Sequence, residues 1–167
     1  MAPTIDQLDL ALICALREHP RIGDLELSRV TKVARATAQS RLAKMEAAGI
    51  ITGYGPDIDL ACAGHPVLAF VTLEIAQGSL DAVSHELNQS PNVIEAYVTS
   101  GVADVLCKIV ATSHEDLQRT LLKITSSASV VRSTSVIVLS ELVRTRVLPM
   151  LRQGAVEAPG RAPAYQG

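Results

Sequence analysis

Five basic side chains, Arg29, Lys32, Arg35, Arg41 and Lys44, fall within residues 29–45 with no carboxylate among them, although the whole chain has a formal net charge of −2. Clustered cations suit phosphate, because they displace the counterions that a nucleic acid condenses. A solvated helix face normally mixes both signs. Between these cations stand Thr37, Gln39 and Ser40. Gln and Arg match base edges, Ser and Thr bond phosphates or bases, and small residues such as Ala36 let a backbone come close. The chemistry on offer is non-covalent contact with double-stranded DNA. Arg35, Thr37, Gln39 and Ser40 are expected near base edges. Lys32 and Lys44 are expected on phosphates, and Arg41 on a phosphate or holding the helix in place. The plainer alternative is a solvated basic helix face.

Other chemistries lack their residues. The four histidines, His19, His65, His85 and His114, are scattered and none pairs with a cysteine at ligand spacing, so no metal site is expected. Cys14, Cys62 and Cys107 lie far apart in or near apolar stretches and read as buried, reduced thiols. No phosphate-binding loop, dinucleotide glycine pattern or nucleophile elbow occurs, so the chain does not read as an enzyme, and no cofactor is expected. No apolar run approaches the roughly 20 residues of a membrane helix. Residues 1–10 hold two Asp and no basic residue, unlike a signal peptide. These features together read as cytoplasmic.

The elements that must position the cations can be read from spacing. Ile5, Leu8, Leu12 and Leu16, with Ile13 beside them, form one face of a helix that Pro20 ends. A second short helix fits DLELSRVT, with Leu25, Leu27 and Val30 inward. A third fits ARATAQSRLAKMEAAG, with Ala38, Leu42 and Met45 inward and Gly49 as the stop. The β-like IITGYG follows. Helices with so short a connection make a helix-turn-helix, the third helix being the one for the major groove.

IDQLDLALICALREHPRI, ELSRV and SRLAKMEAAGIITGY resemble the start of the leucine-responsive, or Lrp/AsnC, family of transcriptional regulators. Asp6, Asp9, Arg21, Glu26-Leu27, Arg41-Leu42 and the closing Gly-Ile-Ile-x-Gly-Tyr carry the likeness over residues 5–54. It implies a winged helix-turn-helix that binds DNA. Two positions depart from it: Lys32 stands where the family usually has Gly in the turn, and Ala34 where it has a Ser cap.

The rest of the chain has a different character. Residues 55–110 hold seven acidic side chains and one basic, Lys108. PDIDLACAGHP reads as a linker with one short strand. Then come a strand (PVLAFVTLEIA), a helix with Leu80, Val83 and Leu87 inward, a strand (NVIEAYVTS), a tight SGVAD connection, a strand (DVLCKIVAT), a helix capped by Ser113 with Leu117, Leu121 and Ile124 inward, and a strand (VVRSTSVIVLSEL). The order β-α-β-β-α-β is the ferredoxin-like arrangement. Two helices cover one face of four strands. The first, third and fourth strands are apolar on both faces, so a second copy is expected against the open one.

The expected fold is thus α+β: a winged helix-turn-helix over residues 1–54, a linker over 55–65, a ferredoxin-like effector-binding and oligomerisation domain over 66–150, and a flexible tail over 151–167. YVTSGVADVLCKI resembles the same family's effector-binding domain, which dimerises and often assembles as an octamer of four dimers. That likeness implies a small effector, such as an amino acid, at Ser100, Gly101, Val102 and Asp104, with Ser133 and Ser135. Gly101 can expose N–H groups to a carboxylate, and Asp104 can accept from an ammonium. The plainer reading is a hairpin turn. Val102 and Ala103 stand where relatives often have an acidic and an aromatic residue.

The reading is a sequence-specific transcriptional regulator. Two other classes fit the same residues. One is a metabolite-sensing oligomer that does not bind DNA, for which Lys32 and Ala34 leave room. The other is an architectural DNA binder without an effector response, for which Val102 and Ala103 do.

Overall fold

The computed structural model describes residues 5–155. They fall into two compact units, one of residues up to Pro56 together with those from Val143 onward, the other Asp57–Leu142.

The first unit begins with α1 (Gln7–Glu18). Asp6 caps it, its carboxylate accepting from the N–H groups of Leu8 and Asp9 at 2.9 Å. The Asp9 carboxylate accepts in return from the Asp6 N–H at 3.3 Å, which completes a capping box. Two more helices follow, α2 (Asp24–Thr31) and α3 (Arg35–Ala47). Leu12, Ala15, Leu27, Ala38 and Met45 form the core, with Leu42, Ile50 and Ile51 packed on it. Leu25 and Val30 do not point inward as expected; they are 59% and 48% exposed. An eight-residue helix buries a single line of side chains, and Leu25 stands about 160° round from the buried Leu27.

The turn between α2 and α3 carries both departures. Lys32 has φ 55° and is the one non-glycine residue with positive φ among the described residues. Ser28 fastens the turn, its hydroxyl donating to the Val33 carbonyl at 2.6 Å while its own carbonyl accepts the Val33 N–H at 3.1 Å. Ala34 is the N-cap of α3 and offers no side-chain bond. Ala34→Ser is therefore expected to stabilise this unit by about 1 kcal/mol. Lys32→Gly is expected to gain up to about 1 kcal/mol, the left-handed penalty less the greater freedom of an unfolded glycine. Urea midpoints at unchanged slope would measure both.

Gly49, with φ 68°, ends α3 and lets Ile50 and Ile51 return their N–H groups to the Met45 carbonyl. The β-like IITGYG forms no strand, since no second run in the described chain pairs with it.

In the second unit, residues 59–65 form a helical turn and not the expected short strand. Asp59 caps it by accepting from the Cys62 N–H at 2.9 Å, and Gly64 closes it at φ 93°. Next come β1 (Val67–Ile75), α4 (Leu80–Asn88), β2 (Val93–Val98), β3 (Val105–Ala111), α5 (His114–Thr125) and β4 (Val130–Ile137). The sheet order is β2-β3-β1-β4 with every neighbouring pair antiparallel. This is the ferredoxin-like fold. Val67, Ala69, Val71 and Leu73 of β1 and Val105, Cys107, Ile109 and Ala111 of β3 face the helices and meet Val83, Leu87, Leu117 and Ile124. Leu80, in the first turn of α4, is 41% exposed, not inward. Burial pushes the Cys107 thiol up to about 11. Cys14 is half-buried and Cys62 exposed, so only Cys107 is the buried thiol expected of all three.

β4 ends at Ile137, short of the expected Leu142, because its partner runs out. Ile137 pairs with Ala69, and the Val138 N–H donates to the Leu68 carbonyl at 2.8 Å, one residue after β1 begins. Residues from Val143 onward pack with the first unit. A final helix, α6 (Leu148–Gly154), has Pro149 in its first turn, where a missing N–H costs nothing. Residues 151–154 are thus helical and not part of a loose tail. The Arg152 guanidinium donates to the Cys14 sulfur at 3.9 Å, which sets α6 on α1. The remainder of the expected tail, residues 156–167, lies outside the described residues.

Candidate nucleic-acid interface

α3 turns Ala38 and Met45 into the core. Its helical period then aims Ala36, Ser40, Ala43 and Ala47 outward, and all four are exposed. This strip is made of small side chains. Arg35 and Gln39 flank it on one side, Thr37 and Lys44 on the other. A helix with a low ridge between polar flanks can seat its backbone deep in a major groove.

The structure separates the seven expected contact residues. Lys32 and Lys44 are exposed and form no ion pair among the described residues, so their charge faces water. Ser40 is exposed and Thr37 half-buried. Arg41 is not on the groove-facing side. Its Nη1 donates to Asp6 Oδ2 at 2.7 Å and Asp9 Oδ1 at 3.2 Å, and these carboxylates are 18% and 8% exposed. Arg41 therefore holds α3 against the capped start of α1, the second of the two roles expected of it. Burial pushes the Asp6 carboxyl upward, but hydrogen bonds from the Asp9 and Leu8 N–H groups and from Arg41 outweigh it and hold the group below its ordinary value. The same pairing raises Arg41.

Arg35 and Gln39 share a partner that residue spacing did not reveal. Asp24 Oδ2 accepts from Gln39 Nε2 at 2.6 Å and from Arg35 Nη2 at 3.3 Å. Asp24 is the first residue of α2, where an acid suits the positive helix end. Its 15-residue separation from Gln39 fits no local pairing rule, so only the crossing of α2 and α3 could show it. Arg29 likewise pairs with Glu26 at 3.4 Å. Beyond α3, the Tyr54 hydroxyl donates to Glu46 Oε1 at 2.6 Å, and burial together with that bond pushes the phenol up to about 12.

In the second unit the expected effector residues sit at one end of the sheet. The connection closes through Thr99, whose N–H donates to the Asp104 carbonyl at 2.9 Å and whose hydroxyl donates to the Ala103 carbonyl at 2.7 Å. Gly101 has φ 145°, which side chains rarely adopt. Asp104 Oδ2 accepts from the Ile75 N–H at 2.8 Å, and its own N–H donates to the Leu73 carbonyl at 3.0 Å. Ser133 pairs with Leu73 from the other side, so Asp104 and Ser133 stand about 10 Å apart across β1. Ser135 pairs with Val71, one pleat further on. Ser100 and Val102 are exposed. Within one chain these six residues line a rim and enclose nothing. A groove of about 270 Å³ lies elsewhere, between α4 and β2.

Opposite the helices, the register aligns Glu95, Lys108, Phe70 and Val136 across the four strands. Phe70 is 41% and Val136 61% exposed. Lys108 donates to Glu95 Oε1 at 3.1 Å and the Tyr97 hydroxyl to Glu95 Oε2 at 2.8 Å. The hydrogen bond from Tyr97, then Lys108, lowers the Glu95 carboxyl.

Comparison with known proteins places both units. Residues 5–52 match a family model described as winged helix-turn-helix DNA-binding, and residues 68–148 one described as the Lrp/AsnC ligand binding domain. A relative named HTH-type transcriptional regulator FL11, from Pyrococcus horikoshii, is 29% identical over 150 residues, covering 90% of this chain and 99% of its own. The regulator AldR of Mycolicibacterium smegmatis is 25% identical over 146 residues, covering 86% and 85%. Among solved structures, AsnC of E. coli superposes with a TM-score of 0.81 at 28% identity, covering 88% of this chain and all of that one. A regulator from Neisseria meningitidis, solved as a complex with L-Met, gives 0.78 at 23% identity over 85% and 94%, a likeness of fold alone.

Proposed function

Since this chain belongs to the Lrp/AsnC family of transcriptional regulators, we propose that it recognises particular DNA sequences through α3 as a homodimer and adjusts that binding to a small effector. It is a helix-turn-helix DNA-binding regulator with a ligand-binding domain. The observation that carries the proposal is the outward strip of α3: small residues at its centre, Arg35, Gln39, Thr37 and Lys44 beside it, and Arg41 locking it from behind. Two copies related by a twofold axis would place two such helices in successive major grooves. The sheet face around Phe70 and Val136 is the surface we assign to the pairing, with four dimers able to close into an octamer. Among the described residues no helix is long and apolar enough to cross a membrane. We assign the protein to the cytoplasm, where the DNA it regulates lies.

Counterion release supplies the test. Fluorescence anisotropy across a salt series is expected to show steeply weakening binding. Lys44→Ala is expected to lower the log–log slope by about 1 per lost phosphate contact. An unchanged slope and affinity would remove Lys44 from the interface.

The effector is the second half of the proposal. Asp104, the Gly101 turn and the hydroxyls of Ser133 and Ser135 supply an acceptor, exposed backbone and donors, the groups that an amino acid requires. Because one chain offers only a rim, the remaining wall is assigned to a neighbouring copy. One amino acid in a thermal-shift series should raise Tm, by about 2.7 kcal/mol of stabilisation at a hundredfold excess over Kd. No shift from any of them would favour a DNA binder without an effector.

A further inference from the structure

The clasp of Asp24 on Arg35 and Gln39 is an unusual partner set for a surface meant to meet phosphate. A carboxylate beside the groove-facing helix repels DNA, and this one also occupies two of the groups best able to bind it. Three atoms define it: Asp24 Oδ2, Gln39 Nε2 at 2.6 Å and Arg35 Nη2 at 3.3 Å. Asp24 is 44% and Arg35 61% exposed in their side chains, so the clasp lies in solvent at the edge of α3's outer strip. It fills no core and completes no N-cap, because the N-cap of α2 is Gly23.

Its effect on Gln39 is directional. Only the amide nitrogen can donate to a carboxylate, so the bond fixes which end of the amide faces α2. A primary amide has two N–H donors and one carbonyl oxygen. With one N–H held by Asp24, Gln39 retains one donor and one acceptor. That pair complements the N6 donor and N7 acceptor of adenine. Fixing the amide in advance also removes part of the ordering cost of binding. Arg35, drawn to the same oxygen, is held back from phosphates that any sequence would offer.

The geometry points to Asp24 as a specificity-determining positioning residue, which orients Gln39 to read an adenine edge and restrains Arg35 from indiscriminate phosphate contact. This rests on the DNA-reading role of α3 proposed above.

The test uses the full-length protein, a duplex enriched by that protein from a random-sequence pool, and an unrelated duplex of equal length. Asp24→Ala should tighten binding to the unrelated duplex by about threefold, since it removes one negative charge and frees Arg35. It should lower discrimination between the two duplexes by about tenfold, the scale of one base contact. In a double-mutant cycle, Asp24→Ala and Gln39→Ala should be non-additive in discrimination. Asp24→Asn keeps an acceptor oxygen without the charge. It should retain discrimination while still binding unrelated DNA more tightly, an outcome that a merely structural role does not produce. The Gln39 side-chain amide signal should also move between wild type and Asp24→Ala. If wild type discriminates and Asp24→Ala discriminates equally well, or if the two substitutions add, the clasp proposal is overturned and the DNA-reading role stands. If wild type binds no duplex better than another, the DNA-reading role fails and takes the clasp with it.

Discussion

Arg41→Ala is expected to destabilise the N-terminal unit by about 2–3 kcal/mol and to abolish DNA binding with no loss of a groove contact. The guanidinium is the only cation reaching Asp6 and Asp9 among the described residues, at 2.7 and 3.2 Å. Removing it leaves two poorly exposed carboxylates side by side and unpaired by charge, which is the costly way to break such a cluster. α3 then loses its tie to the start of α1, and the strip of Ala36, Ser40 and Ala43 loses its fixed position. Arg41→Lys should recover only part of the loss, because one ammonium cannot reproduce the planar fork. The effect has a pH signature. The Asp6 carboxyl is held below its ordinary value of 3.8 in the folded unit. Its contribution is therefore fully present above the unfolded value and is lost as pH falls through the depressed one. Urea unfolding should show wild type and Arg41→Ala well separated at pH 7 and converging as pH falls below about 4. Equal midpoints at neutral pH would remove Arg41 from its positioning role.

The second large effect is expected at the open sheet face. Phe70 sits on β1 between Lys108 and Val136 in register and is 41% exposed in a single chain. Phe70→Arg should leave the second unit folded, since this side chain stands outside its core. Against a second copy it would bury an uncompensated charge beside Lys108, at a cost of several kcal/mol. Sedimentation should find wild type dimeric or larger and Phe70→Arg monomeric. A monomer reads one half-site only, so DNA affinity should fall by a hundredfold or more. A variant that remains dimeric would move the interface to another surface.

The strands and helices that face a core were legible in the residues. β1 alternates Val67, Ala69, Val71 and Leu73 toward α4 and α5, and those four are the buried ones. Lys32 and Ala34 stood out as departures, and the structure gives each its physical form, a left-handed lysine and a missing side-chain cap. What escaped depends on partners remote in sequence. Asp24 meets Arg35 and Gln39 only because α2 and α3 cross. The two roles open to Arg41 are likewise told apart only by two carboxylates more than 30 residues earlier, Asp6 and Asp9. Leu25, Val30 and Leu80 are apolar at helical spacing, yet short helices have no second line to bury. VLSEL, residues 138–142, looks like strand, but β1 offers no further backbone to pair with it. Residues 151–154, expected in a flexible tail, are helical because they continue the helix that Pro149 helps to start.

Whether α3 reads DNA sequence is decided by selection from a random duplex pool with the full-length protein. Enrichment of an inverted repeat is expected, its half-sites about one helical turn, 10–10.5 base pairs, apart. An enriched pool indistinguishable from the starting pool, from a protein that is folded and dimeric, would contradict it.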